Sequence, residues 1–178
     1  GFGRVPVAEH SIMMILAAAK RLVWGDAATR DGSGWAARSA LDFIELDGRT
    51  VGVVGIGHIG AEIARKLRYG FRCRVLGYDP YVDNRLSRVV DVEMFDDLEA
   101  MLRQSEVLVL VPELTDETRL MIGADELAML PQGAIVVNTG RGHVLDADAL
   151  DAALRAEHLF GAGVDVVYPE PLLPEHPL

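Results

Sequence analysis

Cysteine is almost missing from this sequence: Cys73 is the only one among 178 residues. No internal disulfide can form, which excludes the disulfide-stapled miniprotein class and fits a reducing cytoplasm. Long apolar runs are also lacking. The longest, Ile12 to Ala19, is flanked by Glu9, His10, Lys20 and Arg21. It falls well short of the roughly 20 residues that cross a bilayer. No signal-peptide pattern, repeat or low-complexity tract is present, and no metal site is expected. Positive charge is scarce, with 17 Lys and Arg against 27 Asp and Glu and a net charge of −10. Such a surface repels phosphate backbones and acidic lipid, which argues against nucleic-acid or membrane partners. Any anionic ligand must therefore be held by local donors.

Half of the residues are hydrophobic and a quarter are charged, as in ordinary globular proteins. The length suits one well-filled domain of about 100–200 residues. The chain starts at Gly1 and ends in the proline-rich run from Pro169 to Pro177. Both ends are expected to be cuts through a longer polypeptide.

Three segments follow from the pattern. Ile12, Ile15, Leu16, Ala19, Leu22 and Val23 recur at helical spacing, which predicts an N-terminal helix within residues 1–25, with Gly25 as its stop. Glu9 near its start and Lys20 and Arg21 near its end would complement the helix dipole. Periodicity then fades, and residues 26–47 read as an arm or linker in which Trp35 has no evident local core. From Asp47-Gly48 onward, residues 48–178 alternate short apolar runs with helical patterns. Strands are predicted at Thr50–Gly55, Cys73–Tyr78, Val107–Val111, Ala134–Asn138 and Gly161–Val166. Helices are predicted at His58–Tyr69, Asp97–Gln104, Ala124–Leu130 and Asp146–Ala156. The strands are apolar on both faces, so the fold class is α/β: a Rossmann-type doubly wound parallel sheet, preceded by a helix and an extended arm.

Gly55-Ile56-Gly57-His58-Ile59-Gly60 follows a buried strand and opens a helix. In that setting Gly55 permits the turn, Gly57 lets a pyrophosphate approach the backbone, and Gly60 lets helix and strand pack closely. The N–H groups at the helix start then hold the pyrophosphate, so His58 is expected to act through its backbone. Asp79 closes the next strand 19 residues after Gly60. That matches the roughly 20-residue spacing of a ribose-binding acid, which favours NAD over NADP.

A second constellation, Asn138-Thr139-Gly140-Arg141-Gly142, lies at the carboxyl end of the fourth predicted strand, where open α/β sheets face their ligand. Arg141 in this tight turn can present a planar fork to a carboxylate and a neighbouring carbonyl. Asp165 closes the fifth predicted strand, and Glu170 stands between Pro169 and Pro171. By composition alone Glu170 reads equally as a loop charge or as a functional acid.

These residues, with Val7-Ala8-Glu9-His10, Val111-Pro112, Thr118-Arg119, Gly163-Val164-Asp165 and Glu170-Pro171-Leu172, resemble the D-isomer-specific 2-hydroxyacid dehydrogenases along nearly the whole chain. The resemblance implies the NAD-binding domain of an enzyme that moves hydride between nicotinamide and C2 of a small 2-hydroxy or 2-oxo acid. It implies that His58 and Ile59 meet the pyrophosphate and Asp79 the ribose. Val111, Pro112 and Thr118 would line the cleft, with Thr139, Gly140 and Asp165 near the nicotinamide. Arg141 would bind the substrate carboxylate, and Glu170 would support the catalytic histidine. That histidine and the substrate domain are expected beyond Leu178. His176, His143, His158 and His10 are not expected to replace it, the last two being placed on helices. Residues 7–46 would form a homodimer. Gly140 stands where the family more often has Ala, a change expected to affect flexibility more than chemistry. Two alternatives on the same fold are an NAD(H)-sensing co-repressor and an NAD domain from a hydrolase or amino-acid dehydrogenase.

Overall fold

A computed structural model describes residues 3–39, 42–82, 91–176 and 178. Residues 40 and 41 of the expected arm and Pro177 of the proline-rich end lie outside this description. Six strands form one parallel sheet: β1 (Thr50–Val54), β2 (Arg74–Tyr78), β3 (Glu93–Phe95), β4 (Val107–Leu110), β5 (Ala134–Asn138) and β6 (Leu159–Val164). Their spatial order is β3-β2-β1-β4-β5-β6, so the winding direction reverses between β1 and β4. Ligands of open α/β sheets bind at the carboxyl ends of the strands beside such a reversal.

Side-chain alternation divides the core into two layers. Val51, Val53, Val107, Val109, Ile135 and Val137 face one side, where α1 (Arg4–Ala19) and α4 (His58–Gly70) cover them. Leu108, Leu110 and Val136 face the other, under α5 (Leu98–Leu102), α6 (Ala124–Met129) and α7 (Ala147–Arg155). Asp146 caps α7 by accepting from the N–H groups of Asp148 and Ala149, which satisfies two donors that every helix start leaves open. The expected doubly wound sheet is thus present.

Several expectations need correction. The N-terminal helix does not run to Gly25. It begins at Arg4, with Pro6 tolerated in its first turn, and ends at Ala19, ahead of Arg21, whose φ of 48° is left-handed. Arg21 packs its guanidinium 4.1 Å from the Phe160 ring centroid. Glu9 sits in the second turn and pairs with Lys66 of α4 at 3.6 Å, so it serves packing more than the helix dipole. The arm is partly helical, with α2 (Leu22–Asp31) and α3 (Gly34–Ala37) following the break. The sheet also has a strand more than expected. β3 is three residues long, at the edge and half exposed, so it carries no buried apolar run to reveal it. Lastly, His158 lies in the turn beyond α7, between the Leu127 carbonyl and the Gln132 side chain, and not on a helix.

Candidate functional site

Three loops meet at the carboxyl ends of β1, β4 and β5, and glycines allow the meeting. Gly55 has a φ of 90°, and a Cβ there would stand 2.7 Å from Pro112 Cα. A Cβ on Gly60 would fall on the Gly55 carbonyl oxygen. One on Gly140 would stand 3.0 Å from Val111 Cα. The Gly140 departure therefore has a steric meaning: it seats the β5 loop against the β4 loop. Gly55, Gly60, Val111, Pro112 and Gly140 thus form one floor.

Gly57 is the exception, since a Cβ there would meet nothing within 4 Å. Its α-carbon borders open space at the start of α4. Among the described residues, the N–H groups of His58 and Ile59 meet no protein acceptor. Open backbone donors beside a missing side chain suit a pyrophosphate. Asp79 is tied to the same loop: Oδ2 accepts from the Ile56 N–H at 2.9 Å, and Oδ1 accepts from the Tyr81 N–H at 2.9 Å. Each oxygen retains a lone pair for a ribose hydroxyl. The Tyr81 hydroxyl donates to Glu117 at 2.7 Å, joining the loop after β2 to the loop after β4 over the end of β1. That carboxylate raises the Tyr81 pKa. Thr118 lies in the same loop as Glu117, and its hydroxyl donates to the Glu113 carbonyl at 2.7 Å and accepts from the Thr115 N–H. These bonds close its own loop after β4.

On the β5 side, buried Asn138 organises the turn. Its amide donates to the Arg141 carbonyl at 3.1 Å, and its oxygen accepts from the Gly140 N–H at 3.1 Å. Arg141 is exposed and donates only to the adjacent Gly140 carbonyl. Arg30, Arg49, Arg65, Arg68, Arg72, Arg74, Arg103 and Arg155 all pair with carboxylates; among the described residues Arg4, Arg21, Arg38, Arg119 and Arg141 do not, and of these Arg141 is the one in the turn after β5. Asp165 lies one residue past β6, its N–H donating to the Asn138 carbonyl at 3.0 Å. The segment that follows rests on the Arg141 turn: Gly142 makes room for the Val167 carbonyl, and the His143 and Tyr168 ring centroids are 3.8 Å apart. Glu170 is exposed and accepts from the Val167 N–H at 3.3 Å. No bond joins it to Arg141. His176 lies 3.7 Å from Asp148, away from the turn's hydrogen bonds.

Sequence reasoning placed the loop residues but missed what holds them. The orienting role of Asn138, the His143–Tyr168 contact and the Tyr81–Glu117 bridge carry no local motif. Nor do two bonds from α1, His10 to Asp165 at 3.2 Å and Ser11 to Thr139 at 2.7 Å.

A parallel sheet in this order, with a glycine loop and an acid at the end of the neighbouring strand, defines a Rossmann-type dinucleotide-binding domain. Residues 12–178 match the family described as D-isomer specific 2-hydroxyacid dehydrogenase, NAD binding domain. The chain belongs to that family, and its cofactor is NAD. It is 38% identical to a glyoxylate reductase of Aeropyrum pernix over 176 residues, covering 96% of this chain and 52% of that protein. A holo structure of Rhodotorula graminis D-mandelate dehydrogenase superposes with a TM-score of 0.91 at 28% identity, covering 99% of this chain and 53% of that one. An NAD-dependent formate dehydrogenase from Staphylococcus aureus, in complex with NAD, gives a TM-score of 0.87 at 30% identity, covering 98% and 52%. The chain thus spans about half the length of these relatives. Neither the co-repressor nor the hydrolase alternative finds support among them. No helix among the described residues is long and apolar enough to cross a membrane, and no group of three or more potential metal ligands occurs there.

Proposed function

We propose that this chain is the cofactor half of a cytoplasmic NAD-dependent oxidoreductase acting on a D-2-hydroxy acid or its 2-oxo counterpart. The observation that carries the proposal is Arg141: an exposed guanidinium without an acidic partner among the described residues, beside the dinucleotide cradle of an otherwise acidic molecule. NAD, when bound, supplies the nicotinamide carbon that gives or takes hydride. The N–H groups of His58 and Ile59 at Gly57 hold the pyrophosphate, and Asp79 takes the adenosine ribose and repels a 2′-phosphate. Val111, Pro112 and Thr118 wall the cleft. Thr139, Gly140 and Asp165 serve the nicotinamide end, because they lie on the β4–β6 side of the reversal. Arg141 takes the substrate carboxylate and polarises the 2-oxo group. Glu170 orients a protonated histidine supplied by a second, substrate-binding domain and holds its proton. The fit of one cofactor domain to relatives named for glyoxylate, mandelate and formate supports a division of labour in which the other domain selects the acid.

The test compares NADH titration of residues 1–178 with NADH oxidation by the polypeptide that includes the substrate domain, using glyoxylate, hydroxypyruvate, phosphohydroxypyruvate and pyruvate. Arg141→Ala should lower turnover by ~10²-fold or more, the scale of removing one preorganised electrostatic contact, and leave NADH binding intact. Unchanged turnover, or robust turnover by residues 1–178 alone, refutes the assignment. The homodimer through residues 7–46 belongs to the same proposal. It is supported by the apolar surface at Met13, Leu22, Val23, Trp24, Trp35 and Phe43, of which Val23 is 81% and Trp35 77% exposed.

A further inference from the structure

Adjacent residues of α1 reach two crevice residues on the β4–β6 side. His10 Nε2 donates to Oδ1 of Asp165 at 3.2 Å. The Ser11 hydroxyl donates to the Val7 carbonyl at 2.8 Å, so its lone pair must accept from the Thr139 hydroxyl 2.7 Å away. Ser11 is fully buried and Thr139 nearly so. This direction of donation matters. The Thr139 proton is spent on Ser11, and the oxygen can offer a ligand only lone pairs. Asp165, with one oxygen engaged by His10, likewise offers an acceptor. The two residues that follow β5 and β6 are therefore set as acceptors by one helix.

The helix can hold them because it is itself fixed. A Cβ on Gly163 would stand 2.8 Å from Met14 Cβ, so α1 lies directly against β6. Lys66 of α4 pins it from the other side through Glu9. In the nicotinamide half of NAD, beyond the pyrophosphate and the ribose, the carboxamide is the group that brings N–H donors. We propose that His10 and Ser11 are positioning residues, which hold Asp165 and Thr139 as acceptors for the carboxamide N–H groups of nicotinamide. The inference rests on the placement of the nicotinamide half over β4–β6 given above.

ADP-ribose separates the two ideas, since it carries the rest of the cofactor without nicotinamide. Residues 1–178 are titrated with NADH, read by nicotinamide fluorescence, and with ADP-ribose, read by calorimetry. Loss of one hydrogen bond should weaken NADH by about 3- to 10-fold in His10→Ala and in Ser11→Ala, with ADP-ribose changed less than about twofold. His10→Gln, whose amide nitrogen reaches the position of Nε2, should restore most of the NADH affinity. Equal weakening of both ligands by the α1 variants, or unchanged NADH affinity, overturns the positioning role. Asp79→Ala should weaken both ligands together. If it changes neither, the placement of the cofactor fails and the inference fails with it.

Discussion

Gly57 and Gly60 lie three residues apart in one loop, yet an added methyl meets opposite surroundings. At Gly60 it collides with the Gly55 carbonyl, and at Gly57 it enters open space. Gly60→Ala should therefore cost ~1–3 kcal/mol of stability, the usual scale of overpacking, read from the urea midpoint. Gly57→Ala should leave that midpoint nearly unchanged and weaken NADH binding at least tenfold, because its methyl occupies the cradle. Cys73 is a second residue-scale case. It is fully buried with Sγ 3.2 Å from the Leu46 carbonyl. Burial, aided by the charges of Asp47 and Glu106, pushes its thiol up to about 11. The folded state keeps the proton while the unfolded state loses it first. Stability from this group is intact below pH 9 and is lost as pH rises from about 9 to 11. Melting curves of Cys73→Ala should lack that part of the alkaline decline. Gly55, Gly57, Gly60 and Asp79 were legible in the sequence because local turn geometry and one strand–helix repeat fix their spacing. His10 and Ser11 were not, because their partners lie 155 and 128 residues away.

Elements with a buried apolar run were legible almost to the residue. Ala134–Asn138 is the clearest, since all five of its residues are buried. β3 was missed because an edge strand of three half-exposed residues has no such signature. The end of α1 was missed because Leu22 and Val23 continue the apolar spacing while the backbone reverses at Arg21. There the periodicity belongs to a second helix whose large apolar residues, Leu22, Val23 and Trp24, are exposed. The link between α1 and α4 gives a prediction at this scale. Glu62 is buried, accepts two hydrogen bonds from Arg65 and lies 3.5 Å from Lys66, which also reaches Glu9. The Arg65 hydrogen bonds hold its carboxyl below the ordinary range, against a smaller opposing effect of burial. A depressed folded-state value contributes stability above the unfolded value and loses it as pH falls through the folded one. Glu62→Gln should lower the urea midpoint at neutral pH and flatten its decline in acid.

Across the whole molecule the charge balance is acidic, and Arg141 belongs to the minority of described arginines, with Arg4, Arg21, Arg38 and Arg119, that have no carboxylate partner among the described residues. Net charge could not reveal Arg141, since its significance is the absence of an acidic neighbour among the described residues, a fact of packing. The apolar surface of α1 and α2 belongs to the same scale. If it is the dimer face, Val23→Asp should convert the sedimenting species to a monomer, and a wild-type chain that sediments as a monomer at all concentrations refutes the dimer. The strand order has one more consequence. The reversal between β1 and β4 divides the crevice into a half beside Asp79 and a half beside Asp165, so that in the proposed arrangement NAD is a bivalent ligand for this sheet. Once one end is seated, the other is present at the high effective concentration that a short tether imposes. Its two mononucleotide fragments, added separately, would each be held weakly even with every contact intact. Gly57, the proposed pyrophosphate cradle, is then the point about which that avidity turns.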